Sequence, residues 1–188
     1  MISFELVQWQ KLDSNGICYP WFTHPFLEVL DRWDLKDKTI LEYGGGKSTI
    51  WWGSRAKEVY TVETNDEWLK YIDQELMGCH GKYGNIKLFH RPVNEGDQTK
   101  IDYYTELPDG CTPDIVVIDG ILRHECLLKA LTLPRPIIII HDNWQQDGFV
   151  CPASEEAMKE FETHNFIQED HVDNHGRKWA TAYWEILK

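Results

Sequence analysis

Apolar positions along the chain follow two alternating periods. Thr23-His24-Pro25 offers a hydroxyl cap and a first-turn proline, and Phe26, Leu27, Leu30 and Trp33 then recur at helical spacing, which predicts a helix. Residues 39–43 read as a strand that runs into Gly44-Gly45-Gly46 and then a helix over about residues 47–56. Residues 59–63 form a second predicted strand. Thr64 and Glu67 make a capping box for a helix whose Trp68, Leu69, Ile72 and Leu76 share a face and which Gly78 terminates. A third strand is expected over residues 86–90, followed by a polar stretch without a clear period.

The second half continues the pattern. Residues 114–119 (DIVVID) read as a buried strand with an acid at its C-terminal end, and residues 122–131 as a helix. Pro134 and Pro136 precede the apolar run at 137–141, which suits a central parallel strand covered on both faces. Residues 153–161 predict another helix. The tail changes character: residues 166–170 and 179–187 read as strands separated only by the turn sequence Asn174-His175-Gly176. Five βα units ending in a hairpin predict one α/β domain over residues 1–188, with residues 1–36 as an N-terminal cap segment. Its sheet is expected to be doubly wound and seven-stranded, mostly parallel, with an antiparallel C-terminal hairpin strand.

Composition narrows the function. Hydrophobic residues at 42% and charged residues at 27% of 188 predict a folded globular domain. The longest aliphatic run, residues 137–140, is too short to span a bilayer, and the first ten residues lack a basic signal-peptide region, so a protein without membrane attachment is expected. Cys18, Cys79, Cys111, Cys126 and Cys151 form no C-x-x-C pair, which suits a reducing cytoplasm. Cys79-His80 and His171/His175 approach metal-ligand spacing but read as loop and hairpin residues. A net charge of −12 repels a phosphate backbone and makes a nucleic-acid partner unlikely on charge grounds.

The glycine stretch carries the chemistry. Glycines between a strand and a helix let backbone approach a ligand closely. A phosphate-gripping P-loop needs glycine where this chain has Leu41, so Gly46-Lys47-Ser48 is not one. A dinucleotide fingerprint beginning at Gly44 and Gly46 meets Thr49 at its third glycine. What remains is an acid, Glu42, two residues ahead of Gly-x-Gly. Glu63, at the end of the second strand, stands where a carboxylate accepts both ribose hydroxyls of a nucleoside.

Trp21 to Pro25, Leu41-Glu42-Tyr43-Gly44, Ser48-Thr49-Ile50-Trp51-Trp52, Val62-Glu63 and Val117-Ile118-Asp119-Gly120 follow one another in an order that resembles class I S-adenosylmethionine-dependent methyltransferases, over about two-thirds of the chain. The resemblance implies that Gly44, Gly45, Gly46, Ser48 and Thr49 pack against S-adenosylmethionine, that Glu42 helps hold its amino-acid end, and that Glu63 and Asp119 border it. Gly45 and Lys47 depart from the usual pattern, and only Glu95 and Asp97 offer an acid for adenine.

Three strand ends should meet at the ligand edge: residues 44–46, Asp119-Gly120 and His141-Asp142-Asn143. A hydroxyl acceptor must lose a proton, so Asp119, His141 and Asp142 are the candidate catalytic residues. His141 has the chemistry of a base, or that of a loop histidine bonded to a carbonyl; His124 and His24 are weaker candidates. Asp119 with Asp142-Asn143 also resembles the Mg²⁺ ligands of catechol-type O-methyltransferases. Trp51 and Trp52 read as packing residues and Trp144 as a cleft wall. The expected activity is methyl transfer to oxygen of a small-molecule or glycan acceptor, with a sparse cap leaving the cleft open or completed by a second subunit. A nicotinamide-dependent oxidoreductase and a non-catalytic cofactor-binding module are the alternatives.

Overall fold

The structure, a computed structural model, describes residues 12–78, 83–93, 96–144, 152–172 and 178–187. Strands β1 (Thr39–Tyr43), β2 (Glu58–Glu63), β3 (Ile86–His90), β4 (Ile115–Ile118), β5 (Ile137–Asp142), β6 (His164–Val172) and β7 (Lys178–Ile186) form one sheet in the order β3-β2-β1-β4-β5-β7-β6. The first five are parallel, and β7 runs antiparallel to both β5 and β6. This is the expected doubly wound sheet with a reversed C-terminal hairpin. The order turns back at β1, so the loops after β1 and β4 lie side by side at the point where such sheets take ligands.

Helices α1 (His24–Leu30), α2 (Lys47–Gly53) and α3 (Asp66–Gly78) cover one face, and α4 (Gln98–Thr105), α5 (Arg123–Leu131) and α6 (Pro152–Met158) the other. Strand alternation assigns the side chains. Ile40, Val59, Val117 and Ile140 join Phe22, Phe26, Leu30, Trp51 and Trp52 in one apolar layer. Leu41, Val62, Val116, Ile118 and Ile139 meet Tyr104, Leu127 and Met158 in the other. Fully buried β1, β4 and most of β5 explain why those strands read as continuous apolar runs.

The N-terminal segment is tied to the far end of the chain. Thr23 Oγ1 donates to the Phe166 carbonyl (3.1 Å), the Thr23 amide to Thr181 Oγ1 (3.1 Å), and the His24 amide to Gln168 Oε1 (2.8 Å). The Thr23 hydroxyl expected to cap α1 therefore serves a sheet tether instead. Phe26 packs against Phe166 and Tyr183 with ring centroids 5.5 and 5.9 Å away. Upstream, Asp13 pairs with Arg55, whose guanidinium lies 3.9 Å over the Trp51 ring.

Other boundaries shift for local reasons. The cap of α3 is Asn65, whose Oδ1 accepts the amides of Glu67 and Trp68 at 2.8 and 3.2 Å, whereas Thr64 is turned toward Glu63. The polar stretch after β3 contains α4, held by tertiary contacts rather than periodicity: Asp97 caps it through the Lys100 amide, and Arg91 donates to the carbonyls of Tyr103 and Glu106. Among the described residues no helix is long and apolar enough to cross a membrane. Cys79, His80, Cys151, His175 and the predicted turn at 174–176 lie outside the described residues, as does Glu95.

Candidate functional site

The turn after β1 is built around a buried carboxylate. Glu42 has no exposed surface, and its two oxygens take four donors. Ser48 Oγ (2.5 Å) and Trp52 Nε1 (3.1 Å) donate to Oε1, and Thr49 Oγ1 (2.6 Å) and Thr61 Oγ1 (2.9 Å) to Oε2. Thr49 Oγ1 in turn accepts the Gly46 amide (3.1 Å), so the acid reaches the turn through a relay. Burial pushes the Glu42 carboxyl up to about 7, against the pull of those four donors. Glu42 thus lies beneath the glycine turn and fastens it to α2 and β2. Ser48 and Thr49, expected beside the ligand, direct their hydroxyls into this network.

The glycines divide by role. Gly44 has φ +93°, and a Cβ there would lie 2.4 Å from the Gly120 Cα. A Cβ on Gly120 would meet Gly44 backbone at 2.9 Å and the Tyr104 hydroxyl at 2.7 Å. The turns after β1 and β4 therefore touch backbone to backbone. A Cβ on Gly45 would strike Thr61 and Ile72. At Gly46 nothing stands within 4 Å of the Cβ position, which leaves space for a ligand against the main chain.

Glu63 meets this turn directly. Its Oε2 accepts the Gly45 amide (2.8 Å), and its Oε1 accepts the amides of Thr64 and Asn65 (2.6 Å each). The carboxylate is thereby fixed at the lip of the β1 turn. Oε2 accepts from Gly45 alone among the described residues, so it retains a lone pair.

Asp119 follows β4 and keeps 24% of its side-chain surface open. Its carboxyl nonetheless sits deep among protein atoms, and burial together with the Asp142, Glu42 and Glu63 carboxylates raises it well above the usual range, while Arg123 opposes the rise. Asp142, the last residue of β5, is buried. Its Oδ1 accepts from Trp179 Nε1 (2.9 Å) and Thr181 Oγ1 (3.0 Å), and its Oδ2 from Asn143 Nδ2 (2.9 Å). These oxygens already hold their donors, and the Arg123 guanidinium reaches both acids. The set fits the expected Mg²⁺ site poorly: a divalent ion at Asp119, Asp142 and Asn143 would compete with the Asn143 amide for Asp142 Oδ2 and would lie beside the fixed Arg123 cation. Among the described residues, no group of three His, Cys, Asp or Glu is arranged to hold a metal.

The histidines separate from the acids. His141 lies on the α4–α6 face, against Trp144 with centroids 5.2 Å apart, and its Nδ1 contacts the Asp142 carbonyl at 2.7 Å. Burial drives its pKa down to about 3, with Arg123 adding to the fall, so it is a neutral core histidine and a poor base at ordinary pH. This geometry matches the alternative reading of His141, a histidine bonded to a carbonyl, rather than that of a base. His124 Nδ1 pairs with Ser154 Oγ (2.7 Å) and joins α5 to α6. Trp144 is likewise core rather than cleft wall, 4.6 Å from Trp184. Asp97, one of the two acids offered for adenine, is exposed and caps α4 through the Lys100 amide. The residue that sequence reasoning missed is Arg123, whose signal was a cation four positions after a strand-end acid.

No protein-family model and no curated protein matches the chain. Solved structures do. A methyltransferase-like protein from Silicibacter pomeroyi is 20% identical, with a TM-score of 0.63 and 89% of each chain covered. An rRNA methylase from Streptococcus thermophilus is 16% identical, with a TM-score of 0.58, over 82% of this chain and 90% of that one. A SAM-dependent methyltransferase from Aquifex aeolicus is 13% identical, with a TM-score of 0.53, over 88% and 91%. At such identities the likeness establishes a common fold, that of the class I methyltransferases.

Proposed function

We propose that the chain is an S-adenosylmethionine-dependent methyltransferase acting on a hydroxyl of a small-molecule or glycan acceptor. The observation that carries this reading is the direct bond between the Gly45 amide and Glu63, which sets an open glycine turn and a strand-end carboxylate side by side at the switch point of the sheet. The main chain at Gly46 is open to a ligand, and Glu63 Oε2 can take ribose hydroxyls; Glu42 acts through the turn it fastens. S-adenosylmethionine, when bound, supplies an electrophilic methyl on a cationic sulfur. Carboxylates at the ends of β1, β2, β4 and β5 give this edge a field that favours a cation.

Asp119 is the acid that keeps open surface, and a carboxylate with a raised pKa is a stronger base than an ordinary one. It is the residue we assign to taking the acceptor's proton. The net charge of −12 favours a neutral or cationic acceptor over nucleic acid. A nicotinamide enzyme is disfavoured by the reversed strand β7 inserted between β5 and β6, since the dinucleotide sheet runs β5-β6 without it.

Calorimetry with S-adenosylhomocysteine and with NADH tests the reading. Heat with the first and none with the second is expected, and Glu63→Ala should weaken binding by about 10- to 100-fold, the loss of hydrogen bonds to a charged group. Binding of NADH alone, or wild-type affinity in Glu63→Ala, would overturn it.

A further inference from the structure

Strand pairing between β4 and β5 ends at Ile118 opposite His141. The next residues on each side are Asp119 and Asp142, and Arg123 joins their turns. Its Nε donates to the Gly120 carbonyl (2.9 Å) and its Nη2 to the Asp119 carbonyl (3.1 Å), with Asp119 Oδ1 at 3.4 Å. Its Nη1 donates to the Asp142 carbonyl and stands 3.9 Å from Asp142 Oδ2. One planar group thus continues, through a side chain, the pairing that the two backbones have given up.

Both turns need such a hold. Leu122 sits at φ +52° and Asn143 at φ +55°. The left-handed region costs a branched residue such as Leu122 about 1–2 kcal/mol, so the surroundings must impose it. The β4 turn is also the one whose Gly120 presses on Gly44. A slack β4 turn would therefore loosen the glycine turn as well. Lysine could not replace this grip, because an ammonium is a point donor while the guanidinium reaches two turns in fixed, coplanar directions.

We infer that Arg123 is a positioning residue: its fork locks the β4 and β5 turns together and holds Asp119 and Gly120 against the glycine turn where a ligand would meet them. The inference rests on the cofactor reading for its functional consequence, but the clamp itself is independent of any ligand.

Two measurements test it. In ligand-free protein, Arg123→Met should accelerate amide hydrogen exchange together at Asp119 and Trp144, whose amides donate to the Tyr43 and Ala180 carbonyls, by about tenfold or more, with β2 and β3 unchanged. Arg123→Lys should restore less than half of that protection. Unaltered exchange at either turn, or full protection in Arg123→Lys, overturns the clamp. In the second measurement, Arg123→Ala should lose about tenfold or more in S-adenosylhomocysteine affinity, with ethylguanidinium restoring it and n-propylammonium failing to. Equal restoration by both cations, or affinity kept within about twofold, overturns the positioning role. Parent protein that gives no heat with S-adenosylhomocysteine defeats the cofactor reading alone, and the exchange data still decide the clamp.

Discussion

At the scale of single residues, two carboxyls have consequences that titration can read. Glu42 ionises at about 7 in the folded chain instead of 4.5. Between those values the folded state keeps a proton that the unfolded state has released, so stability falls as pH rises through that window. Above about pH 7 the full cost is present, on the order of 3 kcal/mol. Glu42→Gln should flatten that part of a denaturation-against-pH curve, leaving the same-signed slope from Asp119 and Asp142; an unchanged slope would mean that Glu42 is solvated. Asp119→Asn addresses chemistry instead. Methyl transfer to a hydroxyl acceptor should drop by about 100-fold or more, as loss of a general base does, while S-adenosylhomocysteine affinity changes far less. Labelled-methyl turnover set beside calorimetry separates the two. His141, by contrast, illustrates what composition hides: its identity suggested a base, but its parity along β5 turned it into the core.

Elements explain why some of the site could be read in advance and some could not. Apolar periodicity reported all seven strands, most plainly β1, β4 and β5, because strands covered on both faces are apolar throughout, and the glycine turn stood out because Gly44 and Gly45 leave no room for a Cβ. Helix α4 was missed because a cap at Asp97 and carbonyl bonds from Arg91 hold it, and those partners are distant or without period. The carboxylate partners also escaped sequence reasoning: nothing local reveals that Ser48, Thr49 and Thr61 converge on Glu42. The turn offers a contrast between neighbours. Gly44→Ala forces a Cβ into Gly120 at positive φ and should destabilise the protein by about 2–4 kcal/mol. Gly46→Ala meets open space and should leave the melting temperature nearly unchanged while weakening S-adenosylhomocysteine. Equal losses of stability in the two variants would contradict the division of roles.

For the whole molecule, charge and connectivity matter most. One of the similar folds is an rRNA methylase, yet a net charge of −12 should keep this chain from retaining RNA: a gel-shift titration with transfer RNA at 0.15 M salt should show no complex below about 100 µM, the weak end of ordinary non-specific binding. A salt-sensitive complex at lower concentration would redirect the search for the acceptor. Connectivity bears on how the protein comes into being. The bonds of Thr23 and His24 to Phe166, Gln168 and Thr181 span more than 140 positions. While the ribosome is still making β5, Phe26 has neither Phe166 nor Tyr183 to cover it. The nascent chain must carry this aromatic face uncovered until the hairpin emerges from the exit tunnel, which makes pairing of the last strands, rather than closure of the glycine turn, the step that completes this face.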